Sequence, residues 1–137
     1  MDSSKTKRKS AKKYTWAEVL EEQLTSQMSR RVVSGERAMV AKFGFAANSV
    51  VALHAHPNEQ LTYVLEGSLR LWWGEHAESE DLADSLVVSA GDVIVIPANV
   101  PHRAIALMDT VSLDIFAPPR EDWLAGMDSY LKVGSVQ

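Results

Sequence analysis

The sequence contains no cysteine. A disulfide framework and a thiolate metal site are therefore excluded, so any metal ion would have to be held by nitrogen and oxygen atoms. Basic charge is scarce as well, because 14 lysine and arginine residues stand against 18 aspartate and glutamate residues, for a net charge of -4. Nucleic acids require a basic binding surface, so this balance argues against nucleic acid as the main partner.

Long apolar runs are also missing. No segment is long and apolar enough to cross a bilayer, and no secretory signal follows Met1. We therefore expect no membrane partner and a cytoplasmic location.

The composition is that of one globular domain. The 137 residues are 46% hydrophobic and 23% charged, which allows a single domain with a substantial core. Residues 1–13 are a basic, serine-containing stretch. We expect a disordered tail there rather than a nucleic-acid or targeting arm, because no aromatic residue is interleaved with the charges. Residues 14–137 then form the single domain.

From residue 31 onwards, short β-type segments alternate with turn residues. The segments are residues 38–45, 50–54, 60–65, 69–73, 86–88, 93–96, 102–107 and 111–116. The continuous β-branched run at residues 93–96 is typical of a strand buried on both faces. Neither a βαβ alternation nor a heptad repeat is present, so the sequence predicts an all-β double-sheet barrel or sandwich.

Short helical pieces are predicted at both ends of this β region. A capping-box pair followed by apolar residues at helical spacing predicts a helix over residues 14–24. After a proline pair at the end of the last strand, residues 120–124 are expected to make a helical turn. Trp123 and Leu124 would fold back from this turn as a plug.

Three of the four histidines belong to one arrangement. His54 and His56 point to the same face of a strand because side chains alternate with period two. Gln60 follows where a new strand starts, and His102 comes after a turn at residues 97–99. Three imidazoles and one amide oxygen suit a divalent transition metal, and do not discriminate between Ni, Fe, Mn and Zn. An alternative, with His54 and His56 as polar residues of the outer face, leaves the return of a histidine at 102 unexplained.

A second group of residues follows the last strand. Asp114 and Phe116 have the same strand parity, so an acid would stand near the metal if that face is the barrel interior. Arg120 lies just past the strand end and could hold a substrate carboxylate with two parallel hydrogen bonds. A structural salt bridge between Asp114 and Arg120 at the barrel rim explains the spacing equally well.

Two motifs resemble those of the cupin superfamily. Gly44, His54-x-His56-x-x-x-Gln60 and Gly67 resemble the first cupin motif, except that glutamine stands where the last metal ligand is usually glutamate. Residues 91–102, GDVIVIPANVPH, resemble the second motif. The resemblance implies a double-stranded β-helical barrel.

A longer pattern resembles the pectin-degradation cupins of the KdgF type. It consists of His-x-His-Pro-x-Glu-Gln at residues 54–60 and Asp-x-Phe-x-Pro-Pro-Arg-x-Asp at residues 114–122. Such proteins open 4,5-unsaturated monouronates, released by pectin or alginate lyases, into linear keto-uronates.

This resemblance implies roles for the histidine and glutamine residues and for the residues that follow the last strand. His54, His56, Gln60 and His102 would be the metal ligands. Asp114 would be the acid–base group, Phe116 would shape the pocket, and Arg120 would hold the uronate carboxylate.

The resemblance leaves other functions open and bears on the assembly. A cupin dioxygenase, a polyketide cyclase and a non-catalytic cupin that binds a metal or small ligand are the alternatives. Because cupin-like proteins are often dimers, we expect a homodimer, with residues 38–45 and the preceding helix available for docking.

Overall fold

The computed structural model describes residues 10–132, which fold into two antiparallel sheets. The basic tail expected at residues 1–13 lies largely outside the described residues, and its disorder stays a prediction. Within residues 10–132, no helix is long and apolar enough to span a membrane.

Ten strands make up the two sheets of the described chain. They are β1 (Glu22–Thr25), β2 (Met28–Ser34), β3 (Met39–Phe45), β4 (Val50–His54), β5 (Glu59–Glu66), β6 (Ser68–Trp73), β7 (Leu86–Ser89), β8 (Val93–Ile96), β9 (His102–Ala106) and β10 (Thr110–Ala117). One sheet has the order β1-β2-β3-β10-β5-β8, and the other has the order β4-β9-β6-β7. The predicted all-β architecture is confirmed.

The core lies between the two sheets because each strand turns alternate side chains inwards. In β3, Met39, Ala41, Phe43 and Phe45 are buried while the residues between them are half-buried. Leu69 and Leu71 contribute to the same core from the second sheet. This period-two burial is what strand geometry imposes when one face of a sheet is covered.

The turn between β5 and β6 depends on a glycine. Gly67 has a φ of +85°, and a Cβ atom there would lie 2.4 Å from the carbonyl oxygen of Asp109. Only a residue without a side chain fits this close approach. Strands β5 and β6 belong to different sheets, so this turn carries the chain from one sheet to the other and does not close a hairpin.

Two predictions about elements are wrong. The helix predicted over residues 14–24 is limited to one 3-10 turn, Trp16–Glu18, and Glu22–Thr25 forms β1. The pairing of β1 with β2 satisfies its backbone hydrogen-bonding groups in extended form, and this overrides the helical spacing.

The run at residues 93–96 is a strand, but it is not buried on both faces. Val93 is 56% exposed and Val95 is 54% exposed, whereas Ile96 is buried. The side chains of Val93 and Val95 point to the outer face of the sheet, which no other layer of the described residues covers, so one face of β8 remains open. β-branched residues favour the extended backbone on open and covered faces alike.

A C-terminal segment, residues 121–132, packs against the barrel. It contains helix α1 (Glu121–Leu124) and a 3-10 turn (Ser129–Lys132). Asp128 of this segment accepts a hydrogen bond of 2.7 Å from Arg30 on β2, and both side chains are buried. Trp123 is buried as the expected plug, but Leu124 is 66% exposed and takes no part in it.

Candidate metal centre and active site

The three histidines come together because two strands of one sheet are neighbours. His54 ends β4 and is paired with His102, which begins β9. His56 lies two residues beyond the end of β4. The ligand atoms that the three rings offer lie within 4.8 Å of one another, so these residues could hold one metal ion.

A backbone carbonyl fixes the tautomer of each imidazole. Nδ1 of His54 donates to Ala52 at 2.7 Å, Nδ1 of His56 donates to Asn58 at 3.0 Å, and Nδ1 of His102 donates to Val100 at 2.8 Å. A carbonyl oxygen only accepts, so each neutral ring carries its proton on Nδ1 and keeps a lone pair on Nε2. Such carbonyl contacts are the usual way in which a protein orients a metal-binding histidine.

Gln60 completes the group through its amide oxygen. Its Nε2 donates to the hydroxyl of Thr62 at 2.9 Å, which turns Oε1 towards His56. Oε1 lies 3.0 Å from Nε2 of His56, so two acceptor atoms face each other. Two ligands at about 2.1 Å from one ion and at a right angle are about 3.0 Å apart, so a metal ion fits this pair.

His102 supplies a further observation in favour of a metal. Its Nε2 is buried and has no hydrogen-bond partner among the described residues. Buried polar atoms are normally paired, and those that are not call for an ion or another partner. The donor set of three imidazoles and one amide fits a divalent transition metal, as the sequence predicts.

The electrostatic environment keeps the imidazoles neutral. Burial lowers the pKa of His54 to about 3, with a further contribution from neighbouring His102. Burial also lowers the pKa of His56 to about 4 and that of His102 below its ordinary value, and the positive charge of Arg120 acts in the same direction on both. Neutral imidazoles are the form that binds a metal.

Asp114 lines the same cavity as His54 and His102. It is opposite Thr62 in the pairing of β10 with β5, and Phe116 is opposite Gln60. Burial raises the pKa of the Asp114 carboxyl to about 7, although hydrogen bonds from Thr62 and Ser112 and the charge of Arg120 oppose this. A carboxyl with a pKa near neutrality can both accept and donate a proton at physiological pH.

Arg120 is buried and has a different partner from the one that spacing allowed. Its Nε and Nη2 donate to the two carboxylate oxygens of Asp122 at 2.9 and 2.7 Å. The salt bridge considered between Asp114 and Arg120 is therefore not formed. The guanidinium lies 4.9 Å from the ring centroid of Phe116, which positions it over the aromatic ring.

The cavity at the centre is small and is closed by the C-terminal segment. It is lined by His54, Gln60, Asp114 and Arg120, and by three residues of the C-terminal segment, Trp123, Tyr130 and Leu131. Its volume of about 40 Å³ has room for a few water molecules. Typical small-molecule pockets begin at about 300 Å³, so a sugar acid would enter only if the segment moved.

All seven residues singled out from the sequence lie in or around this centre. His54, Gln60, His102, Asp114, Phe116 and Arg120 line the cavity, and His56 contacts Gln60. Glu59, Tyr63 and Trp73 are exposed, and Trp72 is buried under Arg103, whose guanidinium lies 3.9 Å from its ring centroid.

Sequence reasoning missed two residues of the centre. Thr62 links Gln60 to Asp114 through its hydroxyl, and its parity on β5, the same as that of Gln60, could have revealed it. Tyr130 stacks on His54 with the ring centroids 4.5 Å apart. No pattern in the sequence indicates Tyr130, because it comes from an irregular segment far from the motifs.

Fold and centre together define a metal-binding β-barrel of the cupin class, and comparison with protein families agrees. The cupin domain model matches residues 42–116, which is more than half of the chain. The protein belongs to the cupin family. A comparison of the sequence with curated proteins found no match.

Several solved structures share the fold. KdgF from Halomonas sp. has a TM-score of 0.72 at 22% identity, over 83% of this chain and 99% of that chain. An RmlC-like cupin from Shewanella frigidimarina has a TM-score of 0.71 at 24% identity, over 83% and 96% of the two chains. Oxalate decarboxylase from Bacillus subtilis, a protein with Mn(II) centres, has a TM-score of 0.66 at 21% identity, over 82% of this chain and 32% of that chain.

Proposed function

We propose that this cupin is a metal-dependent enzyme that opens 4,5-unsaturated monouronates and converts them to linear keto-uronates. The observation that carries the proposal is the buried Asp114, whose pKa is raised to about 7 in the same cavity as His54, His102 and Gln60. A buried carboxyl is costly, and a strongly raised pKa in a cavity is typical of an acid–base catalyst. The resemblance of residues 54–60 and 114–122 to KdgF-type cupins supplies the substrate class.

The chemistry requires one proton to be removed and one to be delivered. Asp114, as carboxylate, takes the proton of the anomeric hydroxyl while the carbonyl forms and the bond from the anomeric carbon to the ring oxygen breaks. The ring oxygen takes the electron pair of the broken bond, and the resulting enolate becomes a ketone when Asp114, now protonated, gives its proton to the neighbouring vinylic carbon. Atoms balance, because the product is an isomer of the substrate.

The other residues bind and orient. His54, His56, Gln60 and His102 would hold a divalent metal ion, which when bound stabilises the negative charge that develops on oxygen. Arg120 offers a positive charge to the anionic substrate. Phe116 packs beneath the guanidinium and beside His56, with ring centroids 5.6 Å apart, and so limits the shape of the site.

A test of the proposal follows the product under anaerobic conditions in heavy water. Metal-loaded protein is mixed with an unsaturated monouronate and the mixture is examined by NMR. We expect the linear keto-uronate with one solvent deuterium at the formerly vinylic carbon. A reaction that stops without oxygen would indicate a dioxygenase, and no product in either atmosphere would overturn the proposal.

A metal-binding protein without catalytic activity is the second candidate, and the small volume of the closed cavity favours it. The two candidates differ in what Asp114 does. In a binding protein, the function is the binding itself, so Asp114→Asn leaves both the ligand affinity and the function unchanged. In the proposed enzyme it leaves affinity largely intact and removes turnover.

A further inference from the structure

One nitrogen of the Arg120 guanidinium still has N–H groups available to donate hydrogen bonds. Asp122 occupies the edge formed by Nε and Nη2, and Nη2 also donates to the hydroxyl of Tyr130 at 2.7 Å. Nη1 is buried and has no hydrogen-bond partner within the described part of the chain. Because Asp122 holds the edge that usually binds a carboxylate with two bonds, a substrate carboxylate has Nη1 available and needs a second donor elsewhere.

Tyr130 has a donor in the right neighbourhood. Its hydroxyl oxygen accepts hydrogen bonds from Nη2 of Arg120 and, at 3.0 Å, from Nε1 of Trp123. Neither contact uses the proton of the hydroxyl, and a phenol has one proton to donate. Tyr130 and Arg120 both line the cavity that contains Asp114.

We propose that Tyr130 is a substrate-binding residue that holds the carboxylate of an anionic substrate together with Nη1 of Arg120, one donor to each oxygen. The ring of Tyr130 stacks on His54, so a carboxylate held in this way lies beside the metal centre. Asp122 and Trp123 act as positioning residues, since they fix the guanidinium and the phenol relative to each other. The inference rests on the proposed function only for the identity of the anion as a uronate.

Tyr130→Phe tests this directly because it removes the hydroxyl and retains the ring on His54. In the metal-loaded full-length protein, we expect the affinity for D-galacturonate, measured by calorimetry, to fall about tenfold or more. The affinity for its uncharged methyl ester should fall much less. With an unsaturated monouronate, KM should rise while kcat changes little, because the lost contact binds substrate and transition state equally.

Tyr63→Phe is the matched control, since it removes the same group from an exposed tyrosine on the outer face of β5. It should leave galacturonate binding unchanged. Thermal unfolding of both variants separates loss of structure from loss of binding: a purely structural Tyr130 would lower the melting temperature and weaken acid and ester alike.

The outcomes keep this inference apart from the proposed function. Unchanged galacturonate affinity in Tyr130→Phe, equal losses for acid and ester, or no galacturonate binding by the unaltered protein would each overturn the role of Tyr130. If the unaltered protein turns over no unsaturated uronate and yet the affinities follow expectation, the proposed function fails and the carboxylate site stands.

Discussion

At the scale of single residues, burial shifts the pKa values of Asp114 and of the histidines away from their values in water. It raises the pKa of the carboxyl to about 7 and lowers that of each imidazole, so around neutral pH the imidazoles are neutral and the carboxyl is only partly ionised. The folded protein thereby offers lone pairs that could bind a metal and, in the proposed enzyme, a proton carrier for the substrate. Folding free energy must offset the cost of burying these groups.

The pH dependence of stability gives the first prediction. A carboxyl with a raised pKa keeps its proton in the folded protein at pH values at which the unfolded chain, with a pKa of 3.8, has lost it. The contribution of Asp114 to the free energy of unfolding therefore falls as the pH rises from about 4 to about 7, by at most about 1.4 kcal/mol per pH unit, and levels off above. The Asp114→Asn variant has no ionisable group at this position, so its free energy of unfolding lacks this decrease.

Urea unfolding of the metal-free protein measures the effect. We expect Asp114→Asn to gain stability relative to the unaltered protein, by up to a few kcal/mol, between about pH 4 and about pH 7. The lowered histidine pKa values act in the opposite sense, since their contribution is lost as the pH falls below the ordinary value of 6.5. They are common to both proteins, so the difference isolates Asp114. A difference independent of pH would contradict the prediction.

At the scale of elements, the C-terminal segment decides access to the centre. It brings Trp123, Tyr130 and Leu131 to the cavity and is tied to β2 by the buried ion pair of Asp128 with Arg30. The cavity of about 40 Å³ beneath it is too small for a monouronate. The proposed turnover therefore requires the segment to open, and its anchors set how often it does so.

Asp128→Asn should loosen this segment without disturbing the sheets. The substitution weakens a charge-assisted hydrogen bond of about 1.5–3 kcal/mol, so local opening should become about tenfold more frequent or more. Hydrogen exchange should accelerate at the amides of Leu124 and Leu131, which donate to Arg120 and Asp128. Glu121→Gln, an exposed change in the same segment, is the control. Unchanged exchange, or equal acceleration in the strands, would contradict the prediction.

Sequence reasoning reached the elements that have strict periodicity. His54, His56 and Asp114 could be placed because side-chain direction alternates along a strand, and His102 because a turn precedes it. Tyr130 could not be placed, since it comes from a 3-10 turn whose position depends on tertiary contacts such as that of Arg30 with Asp128. The partner of Arg120 could not be predicted either. Sequence spacing allowed a salt bridge with Asp114, whereas three-dimensional packing brings Asp122 to the guanidinium.

The failures of secondary-structure prediction have the same origin. Residues 14–24 have apolar spacing that suits a helix, but pairing with β2 makes residues 22–25 a strand. The run at residues 93–96 has strand propensity, but its burial depends on whether anything covers that face. Neither fact is contained in local sequence.

At the scale of the whole molecule, one outer face is unusually apolar. Tyr63, Val93, Val95 and Ile115 are each between 38% and 56% exposed, and strand register makes them neighbours. Contiguous apolar surface of this kind marks interaction sites. The expected homodimer remains a prediction. The edges of β3 are both paired, so this strand can contribute to a dimer only through its face.

We predict that Val95→Lys converts a dimer to a monomer without unfolding it, because Val95 is already 54% exposed. Light scattering of the unaltered protein should give twice the chain mass of 15.1 kDa, and that of the variant should give the chain mass. Glu78→Lys, an exposed charge reversal in a loop, should leave the mass unchanged. A monomeric unaltered protein would contradict the homodimer. A dimeric variant would show that the interface lies on another surface.

The most direct measurement of the central claim is the rate at which an unsaturated monouronate loses the absorbance of its conjugated double bond. It compares metal-loaded protein, chelated protein and metal-loaded Asp114→Asn without oxygen. We predict rapid loss with the metal-loaded protein, little above buffer after chelation, and a rate about 10²–10⁴-fold lower in the variant. A metal-loaded protein no faster than buffer, or a variant as fast as the unaltered protein, would contradict the account.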